Sequence, residues 1–332
     1  MDMNEAARRA TSFHVIRNDD AVPPALRGAV VAIGNFDGVH RGHYAVIEAA
    51  RARGARQGRP AVALTFEPHP REILRPQEPL FRLTDEQGKL RLLAAAGLDG
   101  VFLLRFDPAF AGLSAETFVA DILVQRFGIS AAVIGFDFHF GKGRQGSPSF
   151  LVEQGKQRGF PVDVIAPLED EGRPVSSGAI RMALSAGKVV EAAELLGHPW
   201  FVSGTVIHGE KRGRDLGYPT ANLRLPAACM LKYGIYAVRV AVGGTLHDGV
   251  ASFGRRPTFD NGAPLLETFL FDFDGDLYGQ PLDVAFIGWI RPEMRFDSAE
   301  ALIQRMDEDS VRAREALRRM PDAFPRLGTV AD

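Results

Sequence analysis

Cysteine is nearly absent from this chain of 332 residues, since Cys229 is the only one it contains. A single cysteine cannot form an intramolecular disulfide, and it does not supply the thiolate set of a structural zinc site. Neither sign of charge is in excess, because 39 Lys and Arg stand against 41 Asp and Glu. That balance argues against a protein that binds nucleic acid through a broad basic surface.

Long apolar stretches are missing as well. No run approaches the roughly 18 consecutive apolar residues that cross a membrane, and the amino terminus lacks the apolar core of a signal peptide. Hydrophobic residues nevertheless make up 46% of the chain and charged residues 24%, the proportions of an ordinary globular protein. We therefore expect a cytoplasmic protein with neither a membrane nor a nucleic-acid partner.

The pattern of the chain changes near residue 200. Upstream, the apolar runs AVVAI, AVALTF, VFLLRF and AAVIG alternate with helical stretches, which is typical of a parallel α/β sheet. Downstream, strand-like runs such as GIYAVRVAV and PLDVAFIGWI are separated by turns, which favours an antiparallel barrel or sandwich. We predict an α/β domain over residues 1–186, a connecting helix and linker over 187–199, and a small antiparallel domain over 200–332.

A helical pattern closes the chain. Asp297 is predicted to cap this helix, with Glu300 completing a capping box. The apolar stripe that would pack on the second domain consists of Leu302, Ile303, Met306, Ala313 and Leu317.

The segment GNFDGVHRGH, residues 34–43, lies between an apolar strand and a helix. A helix start leaves backbone N–H groups unpaired and carries a positive dipole end, so such a turn favours anions. The glycines Gly34, Gly38 and Gly42 would let phosphate approach the backbone closely. Neither the GK[ST] ending of a Walker A loop nor the GxGxxG spacing of a dinucleotide fold is present.

Two histidines take the place of a phosphate-binding lysine in this segment. His40 and His43 are three residues apart at a helix start, so both imidazoles face one side and can donate a ring N–H to phosphoryl oxygen. Two alternatives stay open, namely a glycine turn with surface histidines, and a zinc site that adds Asp37.

Three further motifs, TFEPHP (65–70), GFDFHFGKGRQGS (135–147) and SSGAIR (176–181), also follow strand-like runs. Because the carboxyl ends of parallel strands meet at one edge, we expect these motifs to converge there. Ser176 or Ser177 can cap a helix whose first turn carries Arg181. A simple cap with a solvated arginine is the alternative.

The second domain contains a candidate metal site in the sequence PTAN. Pro219 helps to start an extended segment in which Thr220 and Asn222 share a face. Hard oxygen ligands at this spacing suit Mg²⁺. Polar residues at a strand edge are the alternative explanation.

The stretch LLETFLFDF alternates with period two and places a carboxylate in an apolar row. Burial raises the pKa of a carboxyl group towards the range useful for a general base, which makes Glu267 the candidate. A glutamate hydrogen-bonded to backbone at a strand end is the alternative. The row consists of Leu265, Glu267, Phe269, Phe271 and Phe273.

In their order along the chain, these motifs resemble the prokaryotic bifunctional riboflavin kinase/FAD synthetases. The first motif is similar to the HxGH-type signature of nucleotidyltransferases, and GTVIHGEKRGRDLGYPTANL (204–223) and LETFLFDFDGDLYG (266–279) resemble flavokinase elements. The resemblance spans nearly the whole chain. It implies a Rossmann-like nucleotidyltransferase domain followed by a riboflavin kinase-like β-barrel with a closing helix.

The same resemblance implies two ATP-dependent transfers that use Mg²⁺. Riboflavin would become FMN at the barrel, with Glu267 deprotonating the 5′-hydroxyl and Asn222 beside it. FMN would become FAD at the α/β domain, with His40, His43 and Arg181 neutralising phosphate charge as pyrophosphate leaves. The alternatives are a chain that retains one activity, the riboflavin kinase, and a non-catalytic flavin- or nucleotide-binding protein; the sequence does not indicate an oligomeric state.

The resemblance also implies further contacts to riboflavin, FMN and ATP. In the first domain these are Gly34, Asn35, Phe36, Asp37, Gly38, Gly42, Phe66, Pro68, His69, Asp137, Phe138, Phe140, Arg144, Ser176 and Ser177. In the second they are Gly209, Lys211, Arg214, Gly217, Pro219, Tyr278 and Arg291. The chain departs from the family pattern at Gly178, where a hydroxyl residue is usual, and at His139, where arginine is frequent. Trp289 either stacks on the flavin or fills the barrel.

Overall fold

The structure is a computed structural model that describes residues 13–170, 172–208, 217–255 and 264–330. The described residues form two compact units. The first comprises the residues up to Leu80, those of Glu86–Val175, and those from Arg326 onward, and the second comprises Phe81–Asp85 and Ser176–Pro325.

A parallel sheet forms the centre of the first unit. Its strands are β1 His14–Arg17, β2 Val30–Ile33, β3 Ala61–Glu67, β4 Gly100–Arg105, β5 Ala131–Gly135 and β6 Val162–Ile165. They pair in the order β1-β4-β3-β2-β5-β6, and every pairing is parallel. The four inner strands are buried along nearly their whole length, as expected for a sheet covered on both faces.

Helices connect these strands. They are α1 Arg41–Gln57, α2 Pro70–Leu74, α3 Glu86–Ala95, α4 Pro108–Ala111, α5 Ala115–Thr117, the π-helical segment Phe118–Arg126, and α6 Pro148–Arg158. Short 3₁₀ turns lie at Pro24–Leu26 and Lys142–Arg144, and a small hairpin pairs β7 Glu169–Asp170 with β8 Arg173–Pro174. One core of buried residues fills the face of the sheet that the π-helical segment covers; there, Phe102 and Phe127 stack with ring centroids 4.0 Å apart.

The strand order places a topological switch point between β2 and β5. From β2 the chain runs outward through β3 to β4, and it then crosses back to begin β5 on the other side of β2. Ligands in open α/β sheets bind beyond the carboxyl ends of the strands at such a point. The segments that follow β2 and β5 are the predicted motifs GNFDGVHRGH and GFDFHFGKGR.

An antiparallel sheet forms the second unit. Its strands are β9 Phe201–Thr205, β10 Ala221–Arg224, β11 Gly234–Val242, β12 Thr245–Arg255, β13 Pro264–Leu270 and β14 Pro281–Arg291. They pair in the order β10-β13-β12-β11-β14-β9. An antiparallel bridge between Ile207 and Asn222 joins the segment after β9 to β10, so the two ends of the sheet meet in a nearly closed barrel. The strand pattern left barrel and sandwich open and the resemblance implied a barrel; the structure confirms the barrel.

The described residues of the second unit include the helices α7 Ser177–Ser185, α8 Val189–Leu196 and α9 Ala299–Arg318. Helix α8 lies in the segment predicted as a connecting helix and linker, and it ends at Gly197 with φ 85°. Ser176 caps α7, since its side chain accepts a hydrogen bond from the Ala179 amide at 3.2 Å.

The predicted cap of the closing helix is wrong by one residue. Ser298, not Asp297, is the cap of α9, and its hydroxyl accepts from the Ala301 amide at 3.1 Å. The backbone of Ser298 is extended, with φ −144° and ψ 160°, which brings its short side chain to the first helical turn. Of the predicted apolar stripe, Ala313 and Leu317 are fully buried.

The two edge strands of the parallel sheet are the elements that the sequence pattern predicts least well. Strands β1 and β6 are not apparent in the sequence, because Ile16 is the one buried residue of the two strands and the other positions are half-buried or exposed. An edge strand has one neighbour and a partly solvated face, so it lacks the continuous apolar run of an inner strand. No helix in the described part of the chain is long and apolar enough to cross a membrane.

Candidate active sites

The loop between β2 and α1 has an unusual backbone. Gly38 has φ 86°, and two residues with side chains, Phe36 and Val39, also have positive φ values of 50° and 41°. Positive φ is strained for a β-branched residue such as Val39. Both side chains are buried, at 1% and 0% exposure, and this packing holds the strained backbone in place. Strain of this kind concentrates at ligand-binding segments.

Gly42 lies where the first turn of α1 passes closest to its neighbours. A Cβ at this position would lie 3.1 Å from Cε1 of His40 and 3.4 Å from the Val175 carbonyl oxygen. A larger residue would therefore push the His40 ring out of place.

The two histidines cap the helix reciprocally. Nδ1 of His40 accepts from the His43 amide, and Nδ1 of His43 accepts from the His40 amide, each at 3.3 Å. Their rings stack with centroids 3.6 Å apart. Because Nδ1 accepts in both rings, the proton of each neutral imidazole is on Nε2. The ring N–H that can donate to a phosphoryl oxygen is therefore Nε2–H.

The charge state of His43 follows from its surroundings. Burial, then His40, then Lys89 hold the pKa of His43 well below its usual value. The edge of Phe36 packs on the same ring at 5.1 Å between centroids. At neutral pH His43 is therefore a neutral hydrogen-bond donor.

The end of β3 carries the TFEPHP segment and is hydrogen-bonded to residues 34–43, the segment from β2 into α1 that is called here the glycine loop. Thr65 is fully buried, and its Oγ1 donates to the Asn35 carbonyl at 3.1 Å. Phe66 is buried against Phe106, with centroids 5.8 Å apart. Downstream, Pro68 is exposed. His69 follows it and caps α2 by accepting a hydrogen bond from the Arg71 amide at 3.1 Å.

The loop after β5 closes on itself. Phe140 and Gly146 exchange two backbone hydrogen bonds of 3.0 and 2.9 Å, and a Cβ at Gly146 would lie 2.7 Å from the Phe140 ring. Phe140 is buried and stacks with the half-buried Phe138 at 5.3 Å. Asp137 and Arg144 are exposed on this loop. The loop therefore presents polar side chains on an apolar base.

In the barrel, strand register brings polar residues together. Asn222 of β10 lies directly opposite Glu267 of β13, and Glu267 lies opposite Ser252 of β12. Directly opposed residues point to the same face of a sheet and lie within contact distance. These three side chains form one row across three neighbouring strands, called here the polar row.

Asn222 has the orientation of a cation ligand. It is 4% exposed, and its Nδ2 donates to the Thr220 carbonyl at 3.1 Å. Because Nδ2 makes this bond, Oδ1 of Asn222 points away from the Thr220 carbonyl. That buried oxygen has no hydrogen-bond partner in the described structure. A buried acceptor without a partner is costly unless a ligand satisfies it. The half-buried Thr220 lies two residues away, directly ahead of β10.

Glu267 is half-buried, so its carboxylate is partly removed from solvent. The inward face of β13 is the other one, where Leu266, Thr268 and Leu270 are at most 4% exposed. An inward carboxylate would lie in the barrel core without compensation, whereas the outer face leaves it beside Asn222 and accessible to a substrate.

Comparisons with known proteins now decide the family. The FAD synthetase family model matches residues 22–179, and the riboflavin kinase family model matches residues 196–317. A bifunctional riboflavin kinase/FMN adenylyltransferase of Escherichia coli (strain K12) is 39% identical over 289 residues, which are 87% of this chain and 92% of the relative. One from Pseudomonas fluorescens is 40% identical over 91% of this chain and 97% of its own. The chain belongs to this family.

Membership of the bifunctional riboflavin kinase/FMN adenylyltransferase family confirms the predicted function, with both transferase activities in one chain. The predicted fold of two domains, an α/β nucleotidyltransferase and a kinase barrel, is confirmed too. A solved structure from Streptococcus pneumoniae, named a macrolide-efflux protein, is similar over 93% of this chain and 99% of its own, with TM-score 0.80 and 32% identity.

Other predicted residues of this bifunctional enzyme lie as follows. Ser176, Ser177 and Arg181 belong to the second compact unit, where Nε of Arg181 donates to the Phe81 carbonyl at 2.5 Å. The ring of Tyr278 lies 4.0 Å from that of His208. Gly217 and Pro219 are exposed ahead of β10, whereas the predicted Gly209, Lys211 and Arg214 lie outside the described residues.

Two residues that the sequence analysis singled out in the barrel, Arg291 and Trp289, both pack among identifiable neighbours. Arg291 is 7% exposed, and its guanidinium donates hydrogen bonds to both carboxylate oxygens of the buried Asp309 on α9, the shortest being 2.6 Å. Trp289 packs edge-on against Tyr236 and carries the Lys232 ammonium 4.7 Å above its ring. It therefore contributes to the packing of β14 against β11.

Sequence reasoning missed two charged residues near these sites. Lys89 of α3 is 1% exposed and pairs with Glu67 at 2.6 Å, although its sequence context reads as an ordinary amphipathic helix. Glu293 lies close to Glu267, and partial burial, followed by the negative charge of Glu267, raises the pKa of Glu293. A Cβ at Gly254 would lie 1.9 Å from its Oε1, so a larger residue there would require the Glu293 carboxylate to move.

Within the described residues, no group of three His, Cys, Asp or Glu side chains is arranged to hold a metal ion. The zinc alternative for His40, His43 and Asp37 therefore has no structural support.

Proposed function

We propose that the polar row of the barrel carries the riboflavin kinase reaction, with Glu267 as general base. Glu267 accepts the proton of the riboflavin 5′-hydroxyl while the hydroxyl oxygen attacks the γ-phosphorus of ATP. The bond from that phosphorus to the bridging oxygen breaks, ADP leaves, and FMN is formed. The observation that carries this proposal is the register that sets Glu267 opposite Asn222.

Mg²⁺ would be held by Thr220 and Asn222 of the same barrel. The partnerless, buried Oδ1 of Asn222 fits this use, because a hard cation satisfies an oxygen that the protein leaves unpaired. The ion would neutralise charge on the ATP phosphates. Asn222 itself orients that oxygen through its hydrogen bond to the Thr220 carbonyl.

For FMN adenylyltransfer we propose the glycine loop and the start of α1. A phosphate oxygen of FMN attacks the α-phosphorus of ATP, the bond to the β-phosphate oxygen breaks, and pyrophosphate leaves. The attacking phosphate is already ionised, so no general base is needed. Nε2–H groups of His40 and His43 and the first amides of α1 donate to phosphoryl oxygens as charge develops. The reciprocal capping of the two rings supports this assignment.

The remaining site residues stay predictions from the sequence. They include Arg181 as a phosphate ligand and the flavin and nucleotide contacts of the loops after β3 and β5. A cytoplasmic location is likewise a prediction.

A crossed experiment tests both assignments in one chain. Riboflavin, ATP and Mg²⁺ are supplied to the full-length enzyme, and FMN, FAD, ADP and pyrophosphate are resolved over time. Glu267→Gln is expected to stop FMN formation, by about 10²–10⁴-fold, while FAD formation from added FMN continues. His43→Ala is expected to do the reverse. Equal loss of both products in either folded variant contradicts the assignment of that residue to one site.

A further inference from the structure

Lys89 is a buried cation to which none of the motifs assigns a role. It lies in the second turn of α3, and its side chain is 1% exposed. Nζ contacts Oε1 of Glu67 at 2.6 Å and donates to the Phe66 carbonyl at 3.2 Å. Glu67 is itself largely buried, with a side-chain exposure of 11%. The ammonium therefore connects α3 to the last two residues of β3.

Stability alone does not account for this pair. Taking two charges out of water is costly, and apolar side chains of similar volume in the same place are often as stabilising or more so. Lys89 and Glu67 nevertheless occupy positions next to a well-packed apolar core, where Phe66, Leu90 and Leu93 are at most 6% exposed. A buried pair of this kind fixes geometry, because its direction and length are set by hydrogen bonds rather than by shape alone.

The segment that Lys89 holds is linked to the glycine loop. Thr65, just upstream of Phe66 on β3, donates to the Asn35 carbonyl at 3.1 Å. On the other side, the Glu67 carbonyl accepts from the Phe106 amide at 2.9 Å, which joins β3 to the end of β4. Lys89 also lies near enough to His43 for its charge to act on that ring. A displacement of the β3 end is therefore transmitted to the loop that carries His40 and His43.

We propose that Lys89 is a positioning residue for FMN adenylyltransfer, which holds the end of β3 and through it the glycine loop in the geometry that receives the phosphates. The inference rests on the proposed role of that loop. Lys89 does not touch the reacting atoms and acts through Glu67 and Phe66.

The test compares kcat and KM for FAD formation from FMN and ATP in the full chain, with FMN formation from riboflavin measured in the same preparation. Lys89→Met is expected to lower kcat for FAD formation by about 10- to 100-fold with little change in KM, because misplacement acts on the transition state. FMN formation is expected to stay unchanged. Lys89→Arg should recover part of the loss, since a guanidinium can donate to both oxygens.

Two further variants serve as controls. Lys156→Met makes the same substitution at an exposed position of α6 in the same unit, and it is expected to leave both activities unchanged. Glu67→Gln/Lys89→Met removes both charges of the pair together, so it tests the proposal even where the single variant does not fold. The folded double variant is expected to lose FAD formation as well.

Three results would overturn the proposal. The first is normal FAD formation in Lys89→Met while His43→Ala loses it. The second is a loss that follows only the fraction of folded molecules, with kcat per folded molecule unchanged. The third is normal FAD formation in the folded double variant. Normal FAD formation in His43→Ala would instead contradict the proposed role of the glycine loop, and the two failures are thereby distinguished.

Discussion

The glycine loop and the polar row place their functional atoms in different ways. In the α/β unit, ten consecutive residues, 34–43, supply a strained turn, a helix start and two stacked imidazoles. In the barrel, Asn222, Ser252 and Glu267 come from three strands and are brought together only by hydrogen-bond register. One site is local in the sequence and the other is not.

The difference also concerns what holds each site. The histidines stabilise each other through two 3.3 Å capping bonds, so the loop depends mainly on itself and on β3. The barrel is held by contacts to the closing helix α9, whose Asp309 accepts hydrogen bonds from Arg291 of β14. Asp307 of the same helix accepts from the Tyr218 hydroxyl, and the Tyr218 ring packs on Phe269 of β13. Helix α9 is thus part of the support of the kinase site although no predicted site residue lies on it.

The largest expected effect comes from replacing Asp309, the buried carboxylate that is paired with Arg291. Asp309→Ala leaves a buried guanidinium without its partner, and we expect it to destabilise the barrel by about 3–5 kcal/mol. Thermal inactivation of FMN formation should then occur at a clearly lower temperature, while FAD formation is inactivated as in the unaltered enzyme. Glu308→Ala is the matched control, because its exposed pair with Arg305 should contribute less than about 1 kcal/mol. Equal effects of the two substitutions would mean that α9 does not support the barrel in this way.

Coupling between the two histidines is the next expected effect. Because each ring caps the other, either His40→Ala or His43→Ala removes a shared unit, and each should lower kcat/KM for FAD formation by about 10²–10³-fold. The double variant should lose little more than either single variant. A double-mutant cycle on FAD formation measures this. Additive losses would show that the two rings act independently and that their stacking is incidental.

A smaller effect is expected at the proposed cation ligand. Asn222→Ala removes the partnerless oxygen, so the Mg²⁺ concentration that half-saturates FMN formation should rise about tenfold, equivalent to about 1.4 kcal/mol. The Mg²⁺ dependence of FAD formation in the same preparation is the control and should not move. An unchanged Mg²⁺ requirement for FMN formation would remove Asn222 from the metal site.

The smallest expected effect is a pH dependence of stability in the α/β unit. His43 has a pKa lowered in the folded state, so the unfolded chain binds the extra proton first as the pH falls. Stability from this group is complete above about pH 6.5 and declines as the pH falls from there towards the lowered folded pKa. We therefore expect the α/β unit to be less stable at pH 5.5 than at pH 7.5.

Thermal inactivation of FAD formation, measured at pH 7.5 and 5.5, detects this decline. His43→Asn cannot take up the proton, and its inactivation temperature should depend less on pH than that of the unaltered enzyme. Since the variant is expected to have little FAD activity, near-ultraviolet circular dichroism replaces activity as its readout. The same pH dependence in both proteins would assign the effect to other groups.

Much of the fold follows from local patterns. The strands β2 to β5 read as continuous apolar runs, and the stretch that contains β13 of the barrel reads as an alternation of period two. The edge strands β1 and β6 do not, because burial on one side only leaves a weak pattern. The predicted cap of α9 is wrong by one residue, because Asp297 and Ser298 are both good capping residues. The extended backbone of Ser298 directs its side chain to the first helical turn and so selects it.

By itself the sequence determined the glycine loop, the helix it opens and the change from α/β to β texture, since turns, caps and periodicity depend on residues a few positions apart. Only the tertiary structure decided that β13 turns Glu267 to the outer face, that Asn222 and Ser252 flank it, and that Lys89 is buried against Glu67. Those facts depend on register and packing between elements distant along the chain. Register is set by the sum of many contacts across a sheet, and no single short stretch contains that sum.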